Sequence, residues 1–384
     1  MWRRCLEASR NGLFRSGLGL GFQQRWMSSA SQRRFAAVWG NGDFGRLGLG
    51  SLDSHWEPAV CPAFEKESLR AISCGGAHSL FLTETGRVYA TGLNDFGQLG
   101  ISDERSYTLE PVEVTGLNKD IIQISAGYHH SSAITVDGEL YMWGNNSSGQ
   151  LGLGRKEGEA LSWGEGGSGR LGHGHQSSIL GFFSSKSEYT PRLIKTLEGV
   201  KVKNVAAGML HSVCIDENGS VFIFDERANI KLGFGKANNT SPSIISELPL
   251  SEEVACGGYH TCVITTDGEL YTWGSNENGC LGIGSMDVVH RPERVEGPFL
   301  KSPVCKVSCG WKHTAAISGG DIFTWGWGGS HGTFSVDGHS SGGQLGQGND
   351  VDYFNPTMVN FDRGVRALEV SCGFNHTGAI FEYT

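Results

Sequence analysis

The chain has 384 residues, with 58 Gly, 10 Trp, 19 Phe and a formal net charge of −9 at pH 7. So many aromatics exclude a disordered chain, and the lack of a strict Gly-X-Y period excludes collagen. No apolar run approaches the ~18–20 residues of a spanning helix, so no membrane insertion is expected and the chain reads as soluble.

In chain order, residues 1–34 come first and differ from the rest. They hold seven Arg (Arg3, Arg4, Arg10, Arg15, Arg25, Arg33 and Arg34), no Lys and a single acid, Glu7. Ser9, Ser16, Ser28, Ser29 and Ser31 alternate with apolar residues such as Leu6, Leu13, Phe14 and Leu18. This is the composition of an organelle transit peptide, and the early arginines favour the mitochondrial matrix. Arg25-Trp26-Met27-Ser28 resembles a processing site, with cleavage expected after Met27. Cleavage there removes five Arg and one Glu and leaves a net charge of −13. So acidic a body is a poor counter-charge for a phosphate backbone, so no DNA wrapping is expected. Direct RNA binding is left to a local patch.

Residues 36–384 read as a single domain of repeats, in which two cassettes alternate. The first is Trp39-Gly-Asn-Gly-Asp-Phe-Gly-Arg-Leu-Gly48, which returns from Thr91, Trp143, Trp163, Phe224, Trp273 and Trp325. The second is small-Gly-X-X-His-Ser/Thr, with His78, His130, His211, His260, His313 and His376. Between them, Asp137-Gly138 and Asp267-Gly268 separate β-rich runs, the signature of a hairpin. Pro58, Pro111, Pro191, Pro242, Pro292 and Pro356 follow the Trp cassettes at a similar offset. Proline belongs on an edge strand, so each repeat is expected to be a four-stranded antiparallel sheet with Pro outermost. Cys74, Cys256, Cys309 and Cys372 share one repeat position with Ala126 and Ala207, which marks it as small and buried.

A ~50-residue all-β repeat means blades around an axis, and thus a β-propeller. The chain starts with a Trp cassette lacking its His strand and stops after a His strand lacking its Trp cassette. Ala36–Trp39 is therefore expected to pair with Thr377–Tyr383 and close the ring.

Trp-Gly-X-X-X-X-Gly-Gln-Leu-Gly with Gly-X-X-His-Ser/Thr resembles the regulator of chromosome condensation repeat family, across residues 36–384. With the presequence, the resemblance is closest to a plant mitochondrial member. It implies a seven-bladed propeller and a scaffold, not an enzyme, supporting organellar RNA processing such as intron splicing, and through it respiratory-chain biogenesis. The partners implied are organellar RNA-processing proteins. The alternative is a guanine nucleotide exchange factor for a small GTPase, the activity of the founding nuclear member.

The histidines are expected to pack and to bond to backbone, since one per blade lacks the close companions of a ligand set. No metal or cofactor site is expected. The Trp positions are read as packing between blades. Gly310-Trp311-Lys312-His313-Thr314 is similar to a motif of the plant ultraviolet-B photoreceptor, a member of the same family that uses clustered tryptophans. Ala77, Tyr128, Leu210, Tyr259 and Phe374 stand at or beside the corresponding positions, so no such cluster is expected. No Gly-X-Ser-X-Gly, Walker or His-Glu-X-X-His motif is present.

Partner contacts are instead expected on two insertions. One, within 175–189, carries Ile179, Leu180, Phe182 and Phe183. The other, between Trp327 and Gly343, carries His331, Phe334, Asp337 and His339. One lies after the Leu-Gly segment and the other before it. The Leu-Gly segment is read as a strand, and successive turns alternate sides in antiparallel sheets, so the two insertions are expected to emerge on opposite faces.

Trp-to-Trp steps are 52, 52, 20, 61, 49 and 52. The short step from Trp143 to Trp163 is 32 residues below its neighbours, and no Pro falls inside it. This spacing reads as one contiguous excision of about two strands, such as alternative splicing leaves. We expect seven sectors with an incomplete junction near 143–175; closure as six, with the spare cassette as a hairpin, is the alternative.

Overall fold

The computed structural model describes residues 33–117, 119–151, 160–166, 169–173, 187–224, 241–329, 342–361 and 364–384. The chain builds successive antiparallel sheets around one axis. β1 (Arg34–Gly40) and β2 (His55–Val60) come first. The next sheet runs β3 (Leu69–Cys74), β4 (His78–Thr83), β5 (Val88–Leu93) and β6 (Tyr107–Glu113). β7 (Ile121–Ala126), β8 (His130–Thr135) and β9 (Leu140–Gly144) form a three-stranded sheet. β10 (Leu161–Gly164) and β11 (Glu188–Leu193) form a two-stranded one.

Three four-stranded sheets follow. They are β12 (Val202–Ala207) with β13 (Ser212–Asp216), β14 (Val221–Phe224) and β15 (Ser243–Ile244); β16 (Ser251–Cys256) with β17 (His260–Thr265), β18 (Leu270–Gly274) and β19 (Val289–Arg294); and β20 (Val304–Cys309) with β21 (His313–Ser318), β22 (Asp321–Gly326) and β23 (Tyr353–Met358). β24 (Val365–Cys372) and β25 (His376–Tyr383) complete the first sheet, in the order β2-β1-β25-β24. The expected closure is present: β1 pairs antiparallel with β25, from Arg34 opposite Glu382 to Gly40 opposite His376.

Each sheet obeys the same local rules. Gly138 and Gly268 take φ of +79° and +80°, which the tight turn between second and third strands requires. The Pro residues lie in or beside outermost strands: Pro58 in β2, Pro111 in β6, Pro191 in β11, Pro292 in β19, Pro356 in β23, and Pro242 just before β15. The first strands are innermost and touch their neighbours around the axis. Cys74 N–H donates to Ser371 Oγ, Ala126 N–H to Ser73 Oγ, and Cys372 N–H to Ser308 Oγ, each at 2.9 Å.

The histidines hold the blades together, though through side chains and not through backbone. A hydroxyl from the next blade meets Nε2 of five of the six: His78 with Ser131, His211 with Thr261 and His260 with Thr314 at 2.9 Å, His313 with Thr377 and His376 with Ser79 at 3.0 Å. Those hydroxyls then donate to the preceding Leu-Gly turn, as from Ser131 to Gln98 O at 2.7 Å. The indoles do the same, Trp39 Nε1 to Gln344 O and Trp325 Nε1 to Cys280 O, both at 2.9 Å. A Cβ on Gly310 would sit 2.1 Å from His313 Cε1, so only Gly lets the ring turn into place.

The count of blades departs from expectation. Among the described residues six sheets carry an innermost strand pair, so the ring has six sectors and not seven, one of them, β7–β9, with three strands. The spare Trp cassette survives as the outer hairpin β10–β11, whose Trp163 Nε1 donates to Gln150 O at 2.8 Å. Read as an excision, the gap is also larger than two strands. The described residues between β9 and β10 lack one outermost strand, and β10–β11 lacks the two innermost strands of its own blade. Three strands of five to seven residues, with their turns, account for 32 residues better than two.

Candidate interaction face

Antiparallel neighbours reverse direction, so the loops from first to second strand and from third to fourth strand leave on one face. That face carries all the Gly-X-X-His loops and all the Gly-X-Leu-Gly turns. The Leu-Gly segments are turns, not strands. Both long insertions therefore interrupt the same kind of connection, third strand to fourth, and the premise for opposite faces fails. Ile179, Leu180, Phe182 and Phe183, with His331, Phe334, Asp337 and His339, lie outside the described residues.

The described part of this face is an array of aromatic rings around the axis. Trp311 stacks on Phe374 with centroids 4.4 Å apart and planes 12° apart. Trp327 meets Trp311 edge-on at 5.9 Å, and Tyr128 meets Phe374 edge-on at 5.4 Å. Tyr128 continues to His129 at 4.4 Å, and His129 to Phe96 at 4.9 Å. Tyr128 and Phe96 are about half exposed, at 52% and 48%. The array is a mixed one: its two tryptophans come from a single blade, and Phe374 and Tyr128 stand where neighbouring blades contribute. Reading only the Gly-X-X-His loops finds one Trp, Trp311. Trp327, from the third-to-fourth connection of the same blade, supplies a second, which the reading by cassettes keeps apart.

Charge at the array is sparse and paired. Lys312 Nζ lies 4.6 Å from the Trp311 ring centroid and 2.8 Å from Glu277 Oε2. With Tyr259, Ser275 and Cys280, these residues line a shallow cleft. Arg46 is buried and donates to Asn375 Oδ1 at 2.6 Å, Asp43 O at 3.0 Å and Gly76 O at 3.3 Å. Burial pulls its guanidinium down to about 10, against the raising effect of Asp43, yet it stays charged at neutral pH. Arg46 thus braces three loops from within; it does not offer a basic patch.

Below the face, one ring nitrogen of His260 and the sulfurs of Cys262 and Cys309 lie within 4.8 Å of one another. The Cys companions come from His260's own strand and from the next blade, which a one-blade reading misses. Two thiols and an imidazole are a donor set of soft ions such as Zn²⁺. Here His260 Nε2 is already bonded to Thr314 Oγ1, and burial raises the Cys309 thiol well above its ordinary value. The described cysteines are all free thiols.

Closed on itself by its terminal strands, with its loops gathered on one aromatic face, the molecule is a β-propeller. The description "Regulator of chromosome condensation (RCC1) repeat" matches residues 38–82, 85–134, 157–215, 267–317 and 338–380. The chain belongs to that repeat family.

Among curated relatives, the Ultraviolet-B receptor UVR8 of Arabidopsis thaliana is 30% identical over 90% of this chain and 70% of its own length. The RCC1 domain-containing protein RUG3, mitochondrial, of Arabidopsis thaliana is 32% identical over 75% of this chain and 60% of its own. The Probable E3 ubiquitin-protein ligase HERC6 of Homo sapiens is 30% identical over 72% of this chain, which spans only 25% of that protein. Among solved structures, human WBSCR16 superposes with a TM-score of 0.76 at 22% identity, covering 92% of this chain and all of that one. Yeast RCC1 (Prp20), solved with Kap60, gives 0.75 at 18% identity, covering 98% and 97%. These likenesses support the fold.

Proposed function

We propose that the chain is a mitochondrial propeller that organises other proteins by its aromatic face and performs no chemistry of its own. On this reading residues 1–34 are the transit peptide and residues 36–384 are the working domain in the matrix. The partners are organellar RNA-processing proteins, and the output is intron splicing needed for respiratory-chain assembly.

The observation that carries the reading is the array of Trp311, Phe374, Trp327 and Tyr128, gathered on the loops that join the blade strands, with its nearest cation already paired. Of these rings Tyr128 is exposed, Trp311 and Phe374 are half-buried and Trp327 is buried, and partly exposed aromatics on a stiff frame are usual anchors of a protein interface. A nucleic-acid face would need unpaired basic residues. Likeness to a relative whose name includes mitochondrial, and the Arg-rich, acid-poor start, support the compartment. On this reading Ile179, Leu180, Phe182 and Phe183, with His331, Phe334, Asp337 and His339, are further candidate partner contacts.

Affinity purification from mitochondria, with sequencing of the RNA from cells lacking the protein, tests the proposal. RNA-processing factors are expected to be retained by the wild type and lost from Trp311→Ala. Retention of none, with transcripts unchanged, sinks it. Accelerated nucleotide release from a small GTPase would favour the exchange-factor alternative.

A further inference from the structure

An axial slot lies between β8 and β12, and its two walls are written in the repeat's own terms. Val205 on β12 occupies the position that Ile72, Ile124, Val254, Val307 and Val370 occupy elsewhere. Those five are 6–8% exposed, whereas Val205 is 68% exposed. Ala207 is exposed where Cys74, Cys309 and Cys372 are buried. On the opposite wall, alternate residues of β8 are only half-buried, whereas β4, β17 and β21 are buried throughout.

The hydrogen-bond belt is open at the same place. His130 has no ring partner among the described residues, although each of the other five histidines meets a hydroxyl. Ser212 donates to Arg170 O at 2.9 Å, as its equivalents do to their turns, but no histidine reaches it. The slot thus lacks one hydroxyl to face His130, one imidazole to face Ser212, and one apolar strand to cover Val205.

We infer that this slot is a docking site for a β-hairpin of the same repeat pattern, small-Gly-X-X-His-Ser/Thr, supplied by another repeat-bearing chain. The occupant follows from three requirements. Its Ser or Thr completes His130, and the His just before it completes Ser212. The strand preceding its Gly-X-X-His loop lies on β12's apolar side. A generic extended peptide supplies the backbone but neither side-chain bond. A second folded copy of this chain keeps its own hairpins inside its ring. The inference is independent of the aromatic face, since the slot lies within the blade layer.

The test uses the full chain and a synthetic peptide of residues 119–137, which spans β7 and β8. One-to-one binding is expected in a fluorescence titration, together with a higher Tm. Replacing the peptide's His130 or Ser131 with Ala is expected to weaken binding about tenfold each, as loss of a buried hydrogen bond does. Val205→Asp in the protein, at an exposed position, is expected to keep the fold and abolish binding. Absence of one-to-one binding, equal binding of a scrambled peptide, or binding indifferent to Val205→Asp overturns the inference. A concentration-dependent dimer that Val205→Asp dissolves would put a second copy in the slot and overturn it too.

Discussion

At the residue scale, a buried neutral imidazole decides much of this molecule's behaviour. Burial pulls His78, His260 and His313 down to about 3 and His211 to about 4, while His376 is also held well below its ordinary value. Each folded value lies below the unfolded one, near 6.5, so the unfolded chain binds more protons as pH falls. Stability is then full above about pH 6.5 and is lost as pH drops toward about 4 or 3. At pH 5.5 each such histidine costs about 1 kcal/mol relative to neutrality. A scan of Tm from pH 7.5 to 4.5 should be flat at first and then fall steeply; a flat profile throughout would refute the buried-neutral reading. The sequence marks these histidines by recurrence and by the glycine three places before each. It does not show their partners, because Ser131 is 53 residues from His78 and on another blade.

At the scale of strands, the same side chain has opposite value in two equivalent places. Val254→Lys buries a charge among apolar neighbours and should cost about 3–5 kcal/mol. Val205→Lys, at the equivalent position in β12, should change stability by no more than about 0.5 kcal/mol. Urea unfolding of the two variants checks this, and equal losses would mean that β12 is covered in solution. Restoring 32 repeat-like residues after Lys156 should raise Tm, since it supplies the missing strands in the same chain; an unchanged Tm would count against the excision.

Spacing alone pointed to the irregular junction between Trp143 and Trp163, where the sheets β7–β9 and β10–β11 have fewer than four strands among the described residues. It did not give the number of strands, because the Leu-Gly segment was read as a strand when it is a turn. That one misassignment also produced the expectation of opposite faces. The aromatic array escaped for a different reason: Trp311 and Trp327 belong to different cassettes of one repeat, and only the loop geometry brings them together.

At the scale of the whole ring, stability is concentrated where the ends of the chain meet. Glu382 is largely buried and accepts from Arg34 Nε at 3.1 Å and from Arg366 Nη2 at 2.6 Å. Burial pushes its carboxyl up, but Arg366 and Arg34 outweigh that and hold it below the ordinary range. Glu382→Ala should cost about 3 kcal/mol, as breaking a buried ion pair does, and should loosen β1 first. Hydrogen exchange at Ala36–Val38 reads that local opening, and protection there equal to wild type would contradict it.

The pairing of β1 with β25 also sets an order of events. Arg34 and Glu382 are 348 residues apart. Wherever the chain is delivered from its N-terminus, by a ribosome or through a translocase, β1 arrives first and its partner last. The interior sheets, each built from neighbours in sequence, can form while β1, paired only with β2, keeps its other edge open. Contacts of such long sequence separation form slowly, so closure by β25 is expected to be the slow step of maturation.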